Sequence, residues 1–454
     1  MADTGRANFG SRLGVVLATA GSAVGLGNIW RFPYLAGENG GAAFILIYIA
    51  CVLALGIPCM ISEFIIGRRG ASNTARAYTK LANGTAWRWV GYLEVLTGYL
   101  ITGYYAVVTG WCLNYIYASI VGELKGDPAY VVDYFNDFVA SPIRPIFWTV
   151  VIFLATHFII VHGIRNGIEK ASKLMMPTLF ILLLVVVVCS CLLPNADKGL
   201  TFLFKPDFSK VSSNVFLSAL GQAFYSLSIA MGCLCTYASY FSRQTHMGKA
   251  AIQISVIDTL VAVLAGMMIF PAAFSAGISP DSGPSLIFIT LPNVFNQAFA
   301  FMPALGWVVG LLFYVLLSLA ALTSLMSLHE VNTAFVTEEL HISRKWGALL
   351  VTVTCCAIGT LCSLSLGIWD GLSIGGKSLF DALDYVTGQF MLPLAGFLMC
   401  LFVGWYVPKK VVEEEFTNWG TLSTGRYLGI YRFFVRFVCP LLILCVFLHQ
   451  FGLI

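Results

Sequence analysis

Charged residues are scarce in this chain. Asp, Glu, Lys and Arg make up 11% of its 454 residues, whereas 58% are hydrophobic. Soluble domains carry about 25% charged residues, so this composition excludes an ordinary soluble protein and predicts an integral membrane protein. The 26 Lys and Arg residues leave a net charge of only +4 and form no basic cluster, so we expect no nucleic-acid partner.

Metal-binding and redox motifs are missing as well. The 13 cysteines fall within apolar segments, and Cys233 and Cys235 do not have the spacing of a redox or zinc motif, so we expect no disulfide framework. His329 and Glu330 begin like a zinc-protease helix, but position 333 is Thr instead of His. No nucleophile and base stand out together, so we expect no enzyme.

Long apolar segments dominate what is present. A membrane-spanning helix needs about 20 apolar residues. Eleven such segments begin near Leu13, Ala42, Val90, Pro145, Ala171, Val215, Ile252, Met302, Gly347, Leu379 and Phe433. We therefore predict an all-α integral membrane protein with about eleven transmembrane helices. Its expected parts are a cytoplasmic segment 1–12, a first five-helix repeat 13–192, an extracellular loop 193–214, a second, inverted five-helix repeat 215–405, a cytoplasmic loop 406–432 and an eleventh helix 433–454.

Basic residues are spread unevenly over the loops. With a cytoplasmic N-terminus, all but seven of the 26 Lys and Arg residues fall on the cytoplasmic side, and the seven are Arg31, Lys125, Arg144, Lys198, Lys205, Lys210 and Lys377. The positive-inside rule therefore predicts this orientation, and an odd number of spans places the C-terminus on the extracellular or periplasmic side. We expect a multi-pass protein of the cell (inner) membrane, and we expect the charge run Lys409 to Glu415 to be a solvated loop.

The first span contains residues that weaken a helix. Gly21, Gly25 and Gly27 lie there, followed by Asn28 and Arg31. A broken helix at membrane depth is tolerated only where it is buried in protein or lines a cavity. A glycine-rich packing face explains the glycines but neither Asn28 nor Arg31. An ion and solute site near the middle of the membrane is therefore the favoured interpretation.

The sixth span carries a similar interruption at 226–232. If the chain consists of two inverted five-helix halves, this span is the counterpart of the first, and such paired interruptions mark a transporter site. Asp258 is the only acid in the seventh span, and an unpaired carboxylate in a membrane calls for a cation partner or for hydrogen bonds from neighbouring helices. Asn28, Ser226 and the pair Thr323-Ser324 offer hard oxygen ligands for sodium, although such a pair often bonds to its own helix.

The stretch Gly25-Leu26-Gly27-Asn28-Ile29-Trp30-Arg31-Phe32-Pro33-Tyr34, followed by Glu38-Asn39-Gly40-Gly41, resembles the first-helix signature of the neurotransmitter:sodium symporter family. The motifs Tyr104-Tyr105, Ser226-Leu227-Ser228 and Leu322-Thr323-Ser324 follow in the expected spans and order. The resemblance covers essentially the whole chain. It implies a prokaryotic amino-acid transporter with the leucine-transporter fold, in which helices 1 and 6 are broken at mid-membrane.

The resemblance also implies roles for individual residues. A first sodium ion would be held by Ala23, Asn28, Ser226 and Asp258, and a second by Gly21, Val24, Ala320, Thr323 and Ser324. The substrate would contact Ala23, Gly25, Leu26, Gly27, Ile101, Tyr105, Tyr225, Ser226, Ser228, Met231, Leu325 and Leu328. The extracellular gate would comprise Arg31, Tyr105, Tyr225 and Asp384, and the intracellular gate Arg6, Phe9, Tyr240, Glu330 and Glu338. Gly167 and Pro177 have the spacing that lets the fifth helix unwind in relatives, although an ordinary kink accounts for them equally well.

Several positions depart from the family pattern. Asp258 replaces the usual Asn, and its charge takes the place of the chloride that chloride-dependent relatives bind, so we predict chloride independence. Gly25 stands where amine-transporting relatives have an Asp, so the substrate is expected to bring its own carboxylate. Phe9 replaces the usual gate Trp and keeps its apolar character. Ala230 and Leu325 replace smaller residues and narrow the pocket.

Together these features predict a sodium-coupled symporter that imports a hydrophobic or aromatic L-amino acid by alternating access. Two sodium ions and no chloride are the expected cofactors, and the lipid bilayer and the amino acid are the expected partners. The alternative substrates are another small carboxylate-bearing solute or an amine. Two gates around an occluded pocket argue against a channel, and complete sodium ligand sets argue against a sensor without flux. The preferred side chain and the oligomeric state stay open.

Overall fold

The computed structural model describes residues 8–124, 128–277, 287–371 and 373–450. Helices make up most of this part of the chain, and its only extended pairing is an isolated bridge between Ile374 and Lys377. The all-α membrane architecture predicted from the sequence is therefore confirmed. Arg6, a predicted gate residue, lies outside the described residues.

Eight helices in the described residues are long and apolar enough to cross a membrane, and one bent pair of helices passes the same test as a single span. The eight are helix 2 (Ala42–Gly70), helix 4 (Arg144–Val161), helix 5 (Ile164–Cys191), helix 7 (Met247–Ala276), helix 8 (Pro303–Glu339), helix 9 (Arg344–Leu364), helix 10 (Leu379–Tyr406) and helix 11 (Gly425–Gln450). The bent pair is helix 1, made of helix 1a (Arg12–Ala23) and helix 1b (Gly27–Glu38). Helix 3 (Arg88–Val121) and helix 6, made of helix 6a (Ser213–Ser226) and helix 6b (Cys233–Ala238), bring the number to eleven.

Shorter helices occupy the connections, namely Thr74–Ala82, Pro128–Ala140, Ala196–Phe204, Thr290–Ala298 and Lys409–Phe416. The Lys409–Phe416 helix corrects the expectation of a solvated charge run, because Glu415 is buried and forms a 2.6 Å ion pair with Arg68 of helix 2. Helix 11 also begins before the predicted residue 433. Two arginines in its first turns, Arg426 and Arg432, lower the local hydropathy, so the hydropathy pattern did not indicate where helix 11 begins.

The breaks in helices 1 and 6 have different backbone geometries. Helix 1 bends by 55° at its break, where Val24 is extended at φ −70° and ψ 105°. Helix 6 is interrupted by three left-handed residues, Ser228 at φ 53°, Ala230 at φ 63° and Gly232 at φ 77°. Only glycine adopts that conformation without a steric cost, so two of the three positions must be held by their surroundings.

The order of the helices accounts for the inversion of the two halves. Helix 1 begins at one face of the bundle, which we call the N-terminal face. Five crossings later, helix 6 starts from the opposite face, so the second five-helix half runs in the opposite sense to the first. Helices 3 and 8, the third members of the two halves, pack along each other. This arrangement brings the breaks of helices 1 and 6 into the same buried layer.

Candidate functional site

The breaks of helices 1 and 6 are joined by side chains. The Ser228 hydroxyl donates to the Ser22 carbonyl at 2.8 Å, and Gln222 Nε2 donates to the Gly27 carbonyl at 2.9 Å. Carbonyl groups at a helix break need donors from outside the helix. Side chains of helix 6 supply these donors to helix 1, so the two breaks form one site.

Asp258 of helix 7 is buried beside the two breaks and receives hydrogen bonds from three side chains. Asn28 Nδ2 donates to its Oδ1 at 2.7 Å, the Tyr48 hydroxyl donates to its Oδ2 at 2.9 Å, and the Ser226 hydroxyl lies 3.0 Å from both oxygens. None of these four residues is more than 2% exposed. Among the described residues, no basic side chain forms an ion pair with Asp258. A buried carboxylate with hydrogen bonds but no cationic side chain suits a mobile cation.

The structure brings three of the predicted first-cluster side chains together and adds a fourth. Asn28, Ser226 and Asp258 are in direct contact, and Ala23 lies nearby in the same cavity wall. Tyr48 was missed by the sequence reasoning. The sequence offered one indication of this role. Tyr48 is the single tyrosine in a strongly apolar span, and a buried tyrosine hydroxyl usually finds a hydrogen-bond partner.

A second group of oxygen atoms lies where helix 1a ends against helix 8. The Thr323 hydroxyl lies 2.9 Å from the Ala320 carbonyl and 3.5 Å from the Val24 carbonyl. The Ser324 hydroxyl lies 3.3 Å from the Val24 carbonyl and 3.5 Å from the Gly21 carbonyl. All five residues of the predicted second set are thus brought together. Neutral carbonyl and hydroxyl oxygens are hard ligands of the kind that small cations bind.

A small cavity of about 40 Å³ lies between the breaks and helices 3 and 8. It is lined by Ser22, Ala23, Gly25, Leu26, Gly27, Ile101, Tyr105, Tyr225, Ser226, Ser228, Met231, Cys233, Ser324 and Leu328. Every predicted substrate-contact residue is among them except Leu325, which is fully buried outside the lining. Ser22, Cys233 and Ser324 line the cavity without having been predicted to do so. No charged side chain belongs to the lining, so a charged ligand would depend on backbone groups, hydroxyls or bound ions.

A larger cavity of about 310 Å³ adjoins the small one. It lies between the small cavity and the face of the bundle opposite the N-terminal face. Tyr105 and Tyr225 line both cavities, and the Arg31 guanidinium lies 4.7 Å from the centre of the Tyr225 ring. Arg31 and Asp384 both line the larger cavity, but they form no ion pair within 4.0 Å. The predicted extracellular gate residues therefore line this larger cavity, and Leu26, Gly27, Tyr105 and Tyr225 lie between it and the small one.

The N-terminal face is closed by side chains from helices 8 and 9, from the residues before helix 1a and from those after helix 6b. Arg344 binds both carboxylate oxygens of Glu330, at 3.0 Å and 2.5 Å, and the Tyr240 hydroxyl donates to the same carboxylate at 2.7 Å. The Phe9 ring packs edge-on against Tyr237 and Tyr240, with centroids 5.9 Å and 6.3 Å apart. A bidentate Arg–carboxylate pair is among the strongest side-chain contacts. The site is therefore sealed on this side.

The sequence pattern that defines the Sodium:neurotransmitter symporter family matches residues 6–132 and 141–453. The chain belongs to the sodium:neurotransmitter symporter family. As members of this family are sodium-dependent transporters, the protein is a sodium-dependent membrane symporter and the predicted resemblance is confirmed.

Similar proteins cover nearly the whole chain. The uncharacterized sodium-dependent transporter YhdH of Bacillus subtilis is 34% identical over 448 residues, which is 98% of each chain. An uncharacterized sodium-dependent transporter of Haemophilus influenzae is 35% identical over 457 residues, again 98% of each chain. Among solved structures, that of MhsT in complex with L-phenylalanine is 40% identical, with a TM-score of 0.88 over 98% of this chain and 100% of that one.

Within this symporter, the remaining predicted gate residue lies apart from the Glu330 cluster. Glu338 lies two helical turns beyond Glu330 on helix 8, and its Oε2 accepts the backbone N–H of Asn73 at 2.8 Å and its side-chain N–H at 3.1 Å. Arg344 is one of the basic residues predicted on the cytoplasmic side, but its pairing with Glu330 was not predicted. A partner could have been sought, because an acid in an apolar span is costly unless it is paired or hydrogen-bonded.

The start of helix 5 holds the start of helix 1 in this symporter. Glu169 accepts the N–H of Gly10 at 2.6 Å and the hydroxyl of Ser11 at 2.8 Å, and Lys173 pairs with the same carboxylate at 2.6 Å. Gly167 lies in the π-helical turn Ile164–Glu169, where an added Cβ would collide with the Ile159 carbonyl. Pro177 lies inside the helical part that follows. The glycine is therefore required by close backbone contact, and Glu169 is a further residue that the sequence did not reveal.

Proposed function

We propose that this symporter imports a hydrophobic or aromatic L-amino acid together with two sodium ions, independently of chloride. The observation that carries the proposal is the buried Asp258 carboxylate, which has three hydrogen-bond donors and no cationic side chain beside a pocket that lacks charged side chains. We propose the cell (inner) membrane as its location, with the N-terminus in the cytoplasm and the C-terminus outside.

The first sodium ion would bind next to Asp258. Asn28, Ser226 and the Ala23 carbonyl would complete its oxygen ligands, and Tyr48 would orient the carboxylate from behind at 2.9 Å. With the negative charge of Asp258 built into the site, no second anion is needed to balance the ion. Chloride independence follows from this charge.

The second sodium ion would bind between helices 1a and 8. Its ligands would be the carbonyls of Gly21, Val24 and Ala320 with the hydroxyls of Thr323 and Ser324. Each of these carbonyl oxygens already lies within 3.5 Å of one of the two hydroxyls. Because these ligands come from two different helices, the ion would hold helix 1a against helix 8. Losing it would release helix 1a.

The substrate would be a zwitterion that lies between broken helix ends. Helix 1b begins at Gly27, and the N-terminus of a helix attracts an anion such as a carboxylate. The Leu26 N–H and the Tyr105 hydroxyl, 3.5 Å apart, would both reach that carboxylate. The ammonium group would lie near carbonyl groups at the end of helix 6a, where the dipole favours a cation.

The side-chain end of the pocket is apolar. Ile101, Met231 and Leu328 are buried there, and no acidic residue is available to an amine without a carboxylate, because position 25 is glycine. A hydrophobic or aromatic amino acid fits this lining best, and the complex of MhsT with L-phenylalanine supports this substrate class.

The conformation supports alternating access. With the proposed orientation, the structure is open to the outside through the larger cavity and closed to the cytoplasm by Glu330, Arg344 and Phe9. Arg31, Tyr225 and Asp384 would close above a bound substrate. The cytoplasmic contacts would then separate, and the π-helical start of helix 5 around Gly167 would loosen its hold on helix 1a.

Competition binding tests this function. Purified protein is incubated with labelled L-phenylalanine, with and without sodium, against each of the twenty amino acids and a set of amines. We expect displacement by hydrophobic and aromatic amino acids only in sodium, with equal binding in chloride and in gluconate. Displacement by amines, or no sodium-dependent binding of any amino acid, would contradict the proposed substrate class. A sharp fall of binding in gluconate would contradict chloride independence.

A further inference from the structure

Two fully buried carboxyl groups lie behind the break of helix 6 and belong to neither cation cluster. Glu63 of helix 2 accepts the N–H of Ala230 at 2.6 Å on one oxygen and the N–H of Cys235 at 3.2 Å on the other. The unwinding of helix 6 leaves such N–H groups without helical acceptors. A carboxyl that receives a backbone donor on each oxygen is suited to the ionised form.

Glu94 of helix 3 has a different environment. Its Oε1 receives the Tyr78 hydroxyl at 2.6 Å, whereas its Oε2 is buried without a hydrogen-bond partner. No basic side chain among the described residues forms an ion pair with either Glu63 or Glu94. A second uncompensated charge at this depth is very unfavourable, so the pair avoids it by keeping one proton. Glu94, with only one donor, is the member that keeps it.

Glu94 is also close enough to the break of helix 6 for its charge to matter there. Helix 3 touches the unwound segment directly, since a Cβ added to Gly98 would lie 2.8 Å from the Met231 carbonyl. Glu94 lies one helical turn from Gly98, and residues four apart share a face of a helix, so Glu94 lies on the side of helix 3 that meets the break. A negative charge on Glu94 therefore acts on the carboxylate that holds the unwound backbone.

We propose that Glu94 is a proton-binding site coupled to helix 6. Glu94 holds a proton at neutral pH in the conformation described here. Raising the pH transfers that proton to water at the N-terminal face and leaves two carboxylates behind the break. The second charge repels the Glu63 carboxylate that holds the backbone donors of helix 6 and slows the movement that transport requires. The ligand of this site is a proton.

The groups that face the pair do not supply a positive charge. Tyr78 faces it from the loop helix Thr74–Ala82, Cys233 and Cys235 from helix 6b, and Cys400 from helix 10. Thiol and phenol groups carry no positive charge in either protonation state. The acids at the end of helix 8 bind elsewhere, Glu338 to Asn73 and Glu339 to Arg76 at 3.0 Å. The proton on Glu94 is therefore governed by Glu63 and Tyr78.

Infrared difference spectroscopy on the purified protein, without substrate, tests the proton site. We expect the wild-type protein at pH 7 to show the C=O band of a buried protonated carboxyl that is lost in Glu94→Gln. Glu123→Gln, at the partly exposed end of helix 3, is the matched control and should keep the band. If Glu94→Gln keeps the band, the proton site is refuted. This measurement does not depend on the identity of the substrate, so it separates the present inference from the proposed function.

Uptake into proteoliposomes at a series of pH values tests the coupling. We expect wild-type uptake to fall at alkaline pH, and Glu94→Gln, which cannot ionise, to keep its neutral-pH rate there within about twofold. Tyr78→Phe removes the hydrogen-bond donor that stabilises the ionised form of Glu94, so the alkaline fall in uptake should move to higher pH. This variant also tests the coupling if Glu94→Gln does not fold. Loss of the infrared band with an unchanged uptake profile in both variants would refute the coupling to helix 6.

Discussion

The charge of Asp258 offers the sharpest test of the cation cluster. Asp258→Asn keeps the shape of the side chain and removes its negative charge. Two unit charges about 4 Å apart interact by about 4 kcal/mol at an effective dielectric constant of about 20. Part of this is offset because the asparagine is easier to bury than the carboxylate. A net loss of about 2–3 kcal/mol corresponds to a roughly 30- to 160-fold weaker affinity for the first sodium ion.

The assay is a sodium titration of labelled L-phenylalanine binding, carried out in chloride and in gluconate. The wild-type protein should reach half-saturation at the same sodium concentration in both anions. Asp258→Asn should need far more sodium in gluconate, and chloride should restore part of the loss by supplying the missing negative charge. Tyr48→Phe is the matched comparison, because it keeps the charge and removes one hydrogen bond. Its effect should be about tenfold, since a hydrogen bond to a charged group contributes about 1.5 kcal/mol.

Two outcomes would refute this reasoning. If Asp258→Asn binds sodium like the wild-type protein, the carboxylate is not a sodium ligand, and its hydrogen bonds to Asn28 and Ser226 serve only to hold the helices together. If Tyr48→Phe and Asp258→Asn have equal effects in both anions, the contribution of Asp258 comes from geometry and not from charge.

Two further predictions concern the pocket and the closed face. Gly25→Ala should weaken sodium-dependent amino-acid binding more than tenfold, or roughly 1.4 kcal/mol. Its Cβ would lie 2.5 Å from Ser324 Oγ and 3.2 Å from the Tyr105 hydroxyl. The control Gly221→Ala, whose Cβ meets nothing within 4 Å, should bind amino acids normally in the same assay. Glu330→Gln removes the ion-pair partner of Arg344 and should speed hydrogen–deuterium exchange of the amides in residues 9–20. Glu414→Gln breaks a more exposed ion pair with Arg69 and should leave this exchange unchanged. Unchanged exchange in Glu330→Gln would show that the Arg344–Glu330 pair does not close this face.

The broad character of this protein could be predicted from the sequence alone. Hydropathy is a local property, and about 20 apolar residues are enough to indicate a span, so the membrane class and nearly all of the spans could be placed. The breaks in helices 1 and 6 were also visible, because glycines and small polar residues weaken a helix at a depth where lipid otherwise requires a continuous one. Asn28 and Ser226 stand beside these breaks, and Asp258 is the single acid in its span.

Contacts between distant parts of the chain were decided only by the tertiary structure. Tyr48 reaches Asp258 across 210 positions, and no local pattern indicates which way a tyrosine in an apolar helix will face. The rotation of helix 8 turned Leu325 away from the pocket that its neighbour Ser324 lines. The pairing of Arg68 with Glu415 could not be predicted either. Glu415 lies in a charge run whose sequence indicated a solvated loop, and it is buried only by packing against helix 2.

The physical reason is the same in each case. Composition and backbone propensity determine which segments lie in the membrane and where a helix must break. Side-chain partners depend on the rotation and spacing of packed helices, which all the helices determine together. The sequence therefore indicated which kinds of atoms a cation site would contain. Only the packing decided that Asp258 would be held by Tyr48, and that Glu63 and Glu94 would lie together behind helix 6.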